Sequence, residues 1–165
     1  MLSVFDGLRD VTTLSVFVRL ACALICGGII GIERSYKRRP AGFRTHILIC
    51  IGAAITTLTS QYLYLNMHYF TDMARLGAQV VAGIGFIGAG TIIVTKRQRV
   101  KGLTTAAGLW TSAIIGLTFG GGFYEGGILA TVFIMLAELV FSRIEYRVLE
   151  NVPEINLYME YEGKH

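Results

Sequence analysis

Charged residues are scarce in this chain. Asp, Glu, Lys and Arg make up 16% of its 165 residues, while 53% are hydrophobic. A typical soluble domain carries about 25% charged residues. The mean hydropathy is +0.58. Because a protein of this size has too little interior to hide so much apolar surface, the composition excludes an ordinary soluble domain and favours a single membrane domain.

The chain also lacks the sequence patterns of catalytic and metal sites. Cys22, Cys26 and Cys50 form no C-x-x-C zinc or redox motif. The sequence contains no nucleophile–base arrangement and no Walker loop, and its histidines are far apart. We therefore expect no enzyme and no cofactor, with Mg²⁺ as the one ion still to be considered.

One glycine pattern is typical of a nucleotide-binding fold. The stretch from Gly83 to Gly88 reads Gly-Ile-Gly-Phe-Ile-Gly and fits G-x-G-x-x-G. A dinucleotide fold places this motif between a strand and a helix and follows it with an acid about 20 residues later. Here the next acid is Glu125, and no α/β alternation surrounds the motif. The pattern instead indicates glycines within a membrane helix.

Five segments are apolar enough to cross a bilayer, which requires about 20 residues. They predict an all-α bundle of about five transmembrane helices within 14–142, between an external segment 1–13 and a short cytoplasmic tail 143–165. The predicted spans are 14–32, 45–65, 76–94, 103–120 and 123–141.

The basic residues are unevenly shared between the two ends of these spans. Twelve of the fifteen fall at one end: Arg34, Lys37, Arg38, Arg39, Arg44, Lys96, Arg97, Arg99, Lys101, Arg143, Arg147 and Lys164. The positive-inside rule then predicts an external N-terminus and a cytoplasmic C-terminus. Since these clusters border apolar spans, orientation and contact with the lipid bilayer explain them better than nucleic acid does.

Small residues form stripes along three of the predicted helices. Ala23, Gly27 and Gly31 recur every four residues in the first span. The third and fourth spans carry the candidate packing residues Ala78, Ala82, Gly85, Gly88, Ala89, Gly90 and Gly108. Because lipid gives no hydrophobic drive for helix association, small residues that allow close backbone approach predict tight packing.

Polar residues gather at the predicted cytoplasmic ends of the helices. Because these residues share one predicted depth in the membrane, they predict a network: Glu33, Arg34, Arg44, Thr45, His46, Thr104 and Thr105. This network either fixes the loops or forms a site for an ion or a partner. Intramembrane acids are functional candidates, so Glu33, Glu138 and the external Asp72 are weak candidates for a metal site. Arg143 is an alternative partner for Glu138, and Glu125 a partner for Arg19.

Four motifs taken in order resemble the MgtC/SapB family of bacterial membrane proteins. They read GIER, PAGFRTHILICIGAAITTLTS, ARLGAQVVAGIGFIGAGTII and VKGLTTAAGLWTSAIIGLTFGGGFY, and they cover roughly residues 23 to 141. Gln79, Gly102 and Trp110 also stand at motif positions. Many members carry a second acid where this chain has Ser35, and longer members add a soluble C-terminal domain.

The resemblance implies a multi-pass protein of the bacterial cytoplasmic (inner) membrane that adapts cells to low magnesium or to stress inside a host. Some members act by restraining the membrane sector of the F-type ATP synthase. Two main functions remain open: a regulator that binds another membrane complex through small-residue faces, and a magnesium transporter or channel. A third is a homo-oligomeric scaffold that organises lipid, with its basic loops on anionic headgroups. A homo-oligomer, in the simplest case a dimer, is expected with either function.

Overall fold

The computed structural model describes residues 3–68, 72–94 and 100–150. Lys96, Arg97, Arg99 and Lys164, which contribute to the predicted charge asymmetry, lie outside them. After a short 3₁₀ helix at Ser3–Leu8, the helices are α1 (Thr13–Tyr36), α2 (Phe43–Leu65), α3 (Arg75–Ala89), α4 (Leu103–Gly120) and α5 (Tyr124–Leu136). A π-helical turn, Ala137–Phe141, joins α5 to α6 (Ser142–Glu150).

Four helices in the described part of the chain are long and apolar enough to cross a membrane: α1, α2, α4 and the continuous stretch Tyr124–Ile144. This confirms the predicted all-α membrane protein. The remaining helix, α3, has 15 residues and is about 22 Å long, which is shorter than the hydrocarbon core of about 30 Å. The external location of the N-terminus remains a prediction.

The helix α3 ends earlier than hydropathy predicts. Apolar residues continue to Val94, but the helix stops at Ala89, and Gly90 caps it. Ile93–Val94 then pair antiparallel with Val100–Lys101. The chain enters α4 through Gly102, whose φ of +97° is open to glycine and strained for other residues. Gly90 is a weak helix former, and the β-branched residues that follow it, Thr91 to Val94, favour a strand, which explains the early end.

Glycines bring α2 into close contact with both α1 and α4. A Cβ added at Gly27 would lie 2.9 Å from the Cys50 Cβ, and one at Gly31 would lie 2.7 Å from the Phe43 Cα. At Gly116 an added Cβ would overlap the backbone carbonyl of Cys50. The small-residue stripes of α1 and α4 therefore form the interior of the bundle, whose core includes Ile115 and Phe119.

A buried arginine joins the N-terminal segment to the bundle. The Arg19 side chain is fully buried, and its Nη1 donates to Gln61 Oε1 at 2.8 Å and to the carbonyl of Gly120 at 2.9 Å. Its Nη2 donates to the carbonyls of Leu8 and Arg9 at 3.2 and 2.6 Å. The charge is thus solvated by four oxygens from three chain segments at the end of the bundle where α1 begins.

Glu125, expected from its position to pair with Arg19, pairs with Arg9 instead. Arg9 Nη2 lies 2.7 Å from Glu125 Oε1, and Arg9 Nη1 donates to the carbonyl of Gly122 at 3.1 Å. The segment before α1 folds over the α4–α5 turn and so brings Arg9 closer. Desolvation lowers the pKa of the Arg9 guanidinium, but the hydrogen bonds and charges of Asp6 and Glu125 raise it more, so its pKa lies above the usual value.

Candidate functional site

A buried ion cluster joins the last turn of α1 to the π-helical turn. Arg34 Nε lies 2.5 Å from Glu33 Oε2, and Lys37 Nζ lies 2.8 Å from Glu33 Oε1. Arg34 Nη2 forms an ion pair with Glu138 across the two helices. Arg34 is 1% and Glu33 7% exposed. We call Glu33, Arg34, Lys37 and Glu138 the ion cluster; it lies at the end of the bundle where the basic residues concentrate, called here the basic end.

Lys37 also fixes the backbone of the π-helical turn. Its Nζ donates to the carbonyl of Glu138 at 2.6 Å and to Ser142 Oγ at 3.0 Å. A π turn widens the helix and occurs often at functional sites. The predicted polar network lacks Lys37, although its i, i+4 spacing from Glu33 is a recognisable signal. For Glu138 the predicted alternative partner is Arg143, and the observed partner is Arg34.

The predicted polar network is only partly assembled. His46 and Thr105 are buried at the basic end, whereas Arg44 and Thr104 are exposed and Thr45 is half-buried. Four residues of the predicted network are therefore buried: Glu33, Arg34, His46 and Thr105. The other three are exposed or half-buried.

His46 is held in one tautomer by its own helix. Its Nδ1 lies 2.9 Å from the carbonyl of Gly42 and therefore carries the proton, which leaves Nε2 as an acceptor. The imidazole faces α4, where an added Cβ at Gly108 would lie 3.6 Å from Nε2. Among the described residues, His46 Nε2 and Arg34 Nη1 have no hydrogen-bond partner.

The three candidate metal ligands do not form one site. Asp72 lies near the start of α3, where its Oδ1 accepts from the Ala74 N–H at 2.9 Å. Glu33 and Glu138 lie in the ion cluster and share Arg34. Within the described ranges, no three His, Cys, Asp or Glu residues stand close enough together to hold a metal ion. The cations of Arg34 and Lys37 instead neutralise the two carboxylates.

The small-residue stripe of α3 faces away from the bundle. Ala78, Ala82, Gly85 and Ala89 are all exposed, and we call them the α3 face. An added Cβ at Gly85 would meet nothing within 4 Å. Of the other predicted packing residues, Gly90 is exposed at the surface, whereas Gly88 and Gly108 are buried within the bundle.

The opposite side of α3 packs against the bundle. Ile84 is buried, and an added Cβ at Gly88 would lie 3.4 Å from the Ala106 Cβ of α4. The G-x-G-x-x-G motif thus lies inside a helix and serves packing on one side only. Beside the α3 face runs a groove of about 420 Å³ between α2 and α3, whose lining includes Gly52, Thr56 and Gly83.

The three other motif positions have separate roles. Gln79 is exposed beside the α3 face, and Trp110 is 45% exposed on α4. Gly102 holds the left-handed turn before α4. Among the described residues, the hydrogen bonds of the ion cluster involve none of these three.

Comparisons with known proteins identify relatives of this chain. The chain is 42% identical over 149 residues to the "Putative magnesium transporter YhiD" of Escherichia coli K12, which covers 88% of this chain and 69% of that protein. It is 37% identical over 131 residues to "Protein MgtC" of Salmonella typhimurium LT2, covering 79% of this chain and 54% of that protein.

A third relative, an uncharacterized protein of Haemophilus influenzae, is 40% identical over 129 residues, covering 75% of this chain and 54% of the relative. No solved structure matches this chain. The profile of the MgtC family matches residues 20–147, which include the ion cluster and the α3 face. The chain therefore belongs to the MgtC family.

Proposed function

We propose that this protein is a regulator that binds another membrane complex through the α3 face and so adapts the cell to low magnesium. The observation that carries the proposal is the exposure of Ala78, Ala82, Gly85 and Ala89 along one side of a helix. In lipid, helices associate where small residues let two backbones come close. The inward-facing stripes of α1 and α4 already use this contact within the chain.

The short length of α3 supports the same role. The helix has 15 residues. One side of it packs against the bundle, and the small residues on its other side face lipid. A helix from another protein would cover this face without displacing any contact of the bundle. The family resemblance makes the membrane sector of the F-type ATP synthase the first complex to test, and a second copy of this chain the first alternative.

The proposed location is the bacterial cytoplasmic membrane, with the basic end in the cytoplasm. The described basic residues of this end include Lys37, Arg38 and Arg39 between α1 and α2, and Arg44 in the first turn of α2. Positive charge beside the spans favours this orientation. Labelling of an engineered cysteine at Arg39 and at Asp6 in intact cells tests it, since only the second should react with an impermeant reagent.

Growth at low magnesium tests the regulatory role. Gly85→Leu should abolish complementation of a strain that lacks the protein, because the side chain would separate the two helices. Ala137→Leu is the control: Ala137 is also a small exposed residue of an apolar span, but it follows α5 and lies outside both the α3 face and the groove beside it. Normal growth of the Gly85→Leu strain would contradict the proposal.

A second candidate function, transport of Mg²⁺, is favoured by the ion cluster. Glu33 and Glu138 approach the same guanidinium from two helices. Mg²⁺ prefers oxygen ligands and keeps several waters, so a hydrated ion that replaced Arg34 between the carboxylates would use both of them. The Escherichia coli relative is itself named for magnesium transport.

Flux into liposomes separates the two functions. A transporter should give saturable Mg²⁺ uptake that disappears in Glu33→Gln and Glu138→Gln. The regulator should give no uptake when the protein is folded and inserted. Saturable uptake that both variants abolish would contradict the regulatory proposal and support transport.

A further inference from the structure

The π-helical turn Ala137–Phe141 is not required by its own sequence. It interrupts the apolar stretch Tyr124–Ile144, which is otherwise α-helical. Its residues read Ala-Glu-Leu-Val-Phe, without the Gly or Pro at which helices usually bend. Ala, Glu and Leu are strong α-helix formers. The local sequence therefore favours an ordinary α turn, and contacts from outside the turn hold the π geometry.

These contacts come from the end of α1. Lys37 Nζ donates to the carbonyl of Glu138 at 2.6 Å and to Ser142 Oγ at 3.0 Å, and Arg34 forms an ion pair with the Glu138 side chain. In an α-helix the carbonyl of Glu138 accepts from the N–H of Ser142, whereas in a π turn it accepts from the N–H one residue further on. Lys37 thus binds the two residues whose backbone hydrogen bond distinguishes the two geometries.

The position of Lys37 depends on Glu33. Lys37 Nζ lies 2.8 Å from Glu33 Oε1, one helical turn before it, and the two side chains are 27% and 7% exposed. Because the Glu33 carboxylate is buried, water cannot replace this contact easily. The charge of Glu33 therefore helps to keep the Lys37 ammonium beside the π turn.

A change between the two geometries would rotate α6. A π turn closes over five residues where an α turn closes over four, so it contains one residue more. When it returns to α geometry, the helix that follows rotates by about 100°, the angle of one residue. Side-chain ends lie about 5–6 Å from the axis of a helix, so a side chain of α6 would move by about 8 Å.

We propose that the π-helical turn is a two-state switch that sets the rotation of α6. The turn keeps its π geometry while Lys37 binds the carbonyl of Glu138, and it returns to α geometry when this contact is lost. Loss of the negative charge of Glu33 releases Lys37, so the ion cluster controls the switch. Since α6 continues past the end of the apolar span to Glu150, its rotation carries the state of the ion cluster out of the membrane. The inference does not depend on the α3 face.

The test measures distances between two nitroxide labels by electron paramagnetic resonance, on the whole chain in detergent micelles. Azide-bearing residues carry the labels, so the native cysteines stay unlabelled. One label stands at Ala107 on α4 and the other at Arg143 or Ile144 on α6, all of which are exposed. The two α6 positions are 100° apart, so a rotation cannot leave both distances unchanged.

Lys37→Met removes the contact with the Glu138 carbonyl and keeps the length of the side chain. It should change at least one of the two α6 distances by about 5–8 Å. Glu33→Gln should change the same distance in the same direction by a smaller amount, because its amide oxygen still accepts from Lys37. The control pair, Ala107 and the exposed Leu129, lies on α4 and α5 before the π turn, and its distance should not change.

Deletion of Val140 distinguishes the switch from a general effect of charge. It removes the extra residue of the π turn, so the turn becomes α-helical while α6 keeps its rotation and Glu138, which precedes the deletion, stays beside Arg34. In this background Lys37→Met should no longer change the α6 distances. Thermal unfolding in micelles shows which variants retain the fold.

Three results would overturn the proposal. The first is a pair of unchanged α6 distances in Lys37→Met. The second is an equal change for the Leu129 pair, which would indicate a general loosening of the bundle. The third is a change that persists after the deletion of Val140. Unchanged α6 distances in Glu33→Gln alone would overturn the control of the switch by the ion cluster.

Discussion

The contrast between Gly116 and Gly85 gives a quantitative test of which small residues pack inside the bundle. Both are glycines within apolar helices, and both change to Ala by one methyl group. At Gly116 the new Cβ would overlap the carbonyl of Cys50 and lie 2.8 Å from the Ala53 Cβ, whereas at Gly85 it would meet nothing within 4 Å. The same substitution therefore probes two opposite environments.

The magnitudes follow from these contacts. Since backbone atoms of α2 yield only if the helix moves, Gly116→Ala should destabilise the protein by about 1–3 kcal/mol, the usual cost of overpacking. Gly85→Ala has no such cost and gains up to about 1 kcal/mol of helix propensity. A change of 1 kcal/mol shifts the melting temperature of a chain of this size by about 2–4 °C.

Thermal unfolding of the purified protein in detergent, followed by circular dichroism, measures both variants. Gly116→Ala should melt several degrees below the unchanged protein, and Gly85→Ala at the same temperature or slightly above it. Equal shifts for the two variants would refute the assignment of Gly116 to the interior and of Gly85 to the lipid-facing side.

Three further variants test the rest of the architecture. Glu33→Gln removes the carboxylate shared by Arg34 and Lys37, and because breaking a buried pair costs about 3–5 kcal/mol, the melting temperature should fall; an unchanged melting curve would remove its structural role. Arg19→Met removes the bonds that hold the N-terminal segment, so a cysteine placed at the half-buried Leu8 should react faster with thiol reagents, and an unchanged rate would contradict the contact. Gly102→Ala places a side chain at φ +97° and against the Thr91 carbonyl, so it should lower the melting temperature by several degrees, as a standard thermal scan would show.

The helices could be predicted from the sequence because apolar runs of bilayer length have few alternatives. Hydropathy identified the segments that became α1, α2, α4 and α5, but it could not locate the end of α3. The apolar run continues from Ala89 to Val94, and only the weak helix propensity of Gly90 and the β-branched residues after it indicate the stop. The resulting β pair depends on contacts between Ile93 and Lys101 that hydropathy does not record.

The site was predictable in composition but not in pairing. Periodicity places the residues of the α3 face on one side of a helix, yet it does not determine whether that side faces the bundle or lipid. Arg34 and Glu138 are 104 positions apart, so only the packing of α1 beside α5 brings them together. For Arg19, most of the partners are backbone carbonyls, which leave no pattern in the sequence.

Photo-cross-linking from Phe86 would test the central claim most directly. Phe86 is 86% exposed and adjoins Gly85, so benzoylphenylalanine can replace it with little change of shape. In cells grown at low magnesium we expect an adduct with another membrane protein, which disappears when Gly85→Leu is added. The same label at Phe133, which is 66% exposed on α5, should give no such adduct. Identical products from Phe86 and Phe133, or an adduct from Phe86 with a second copy of this chain alone, would contradict the proposed regulatory contact.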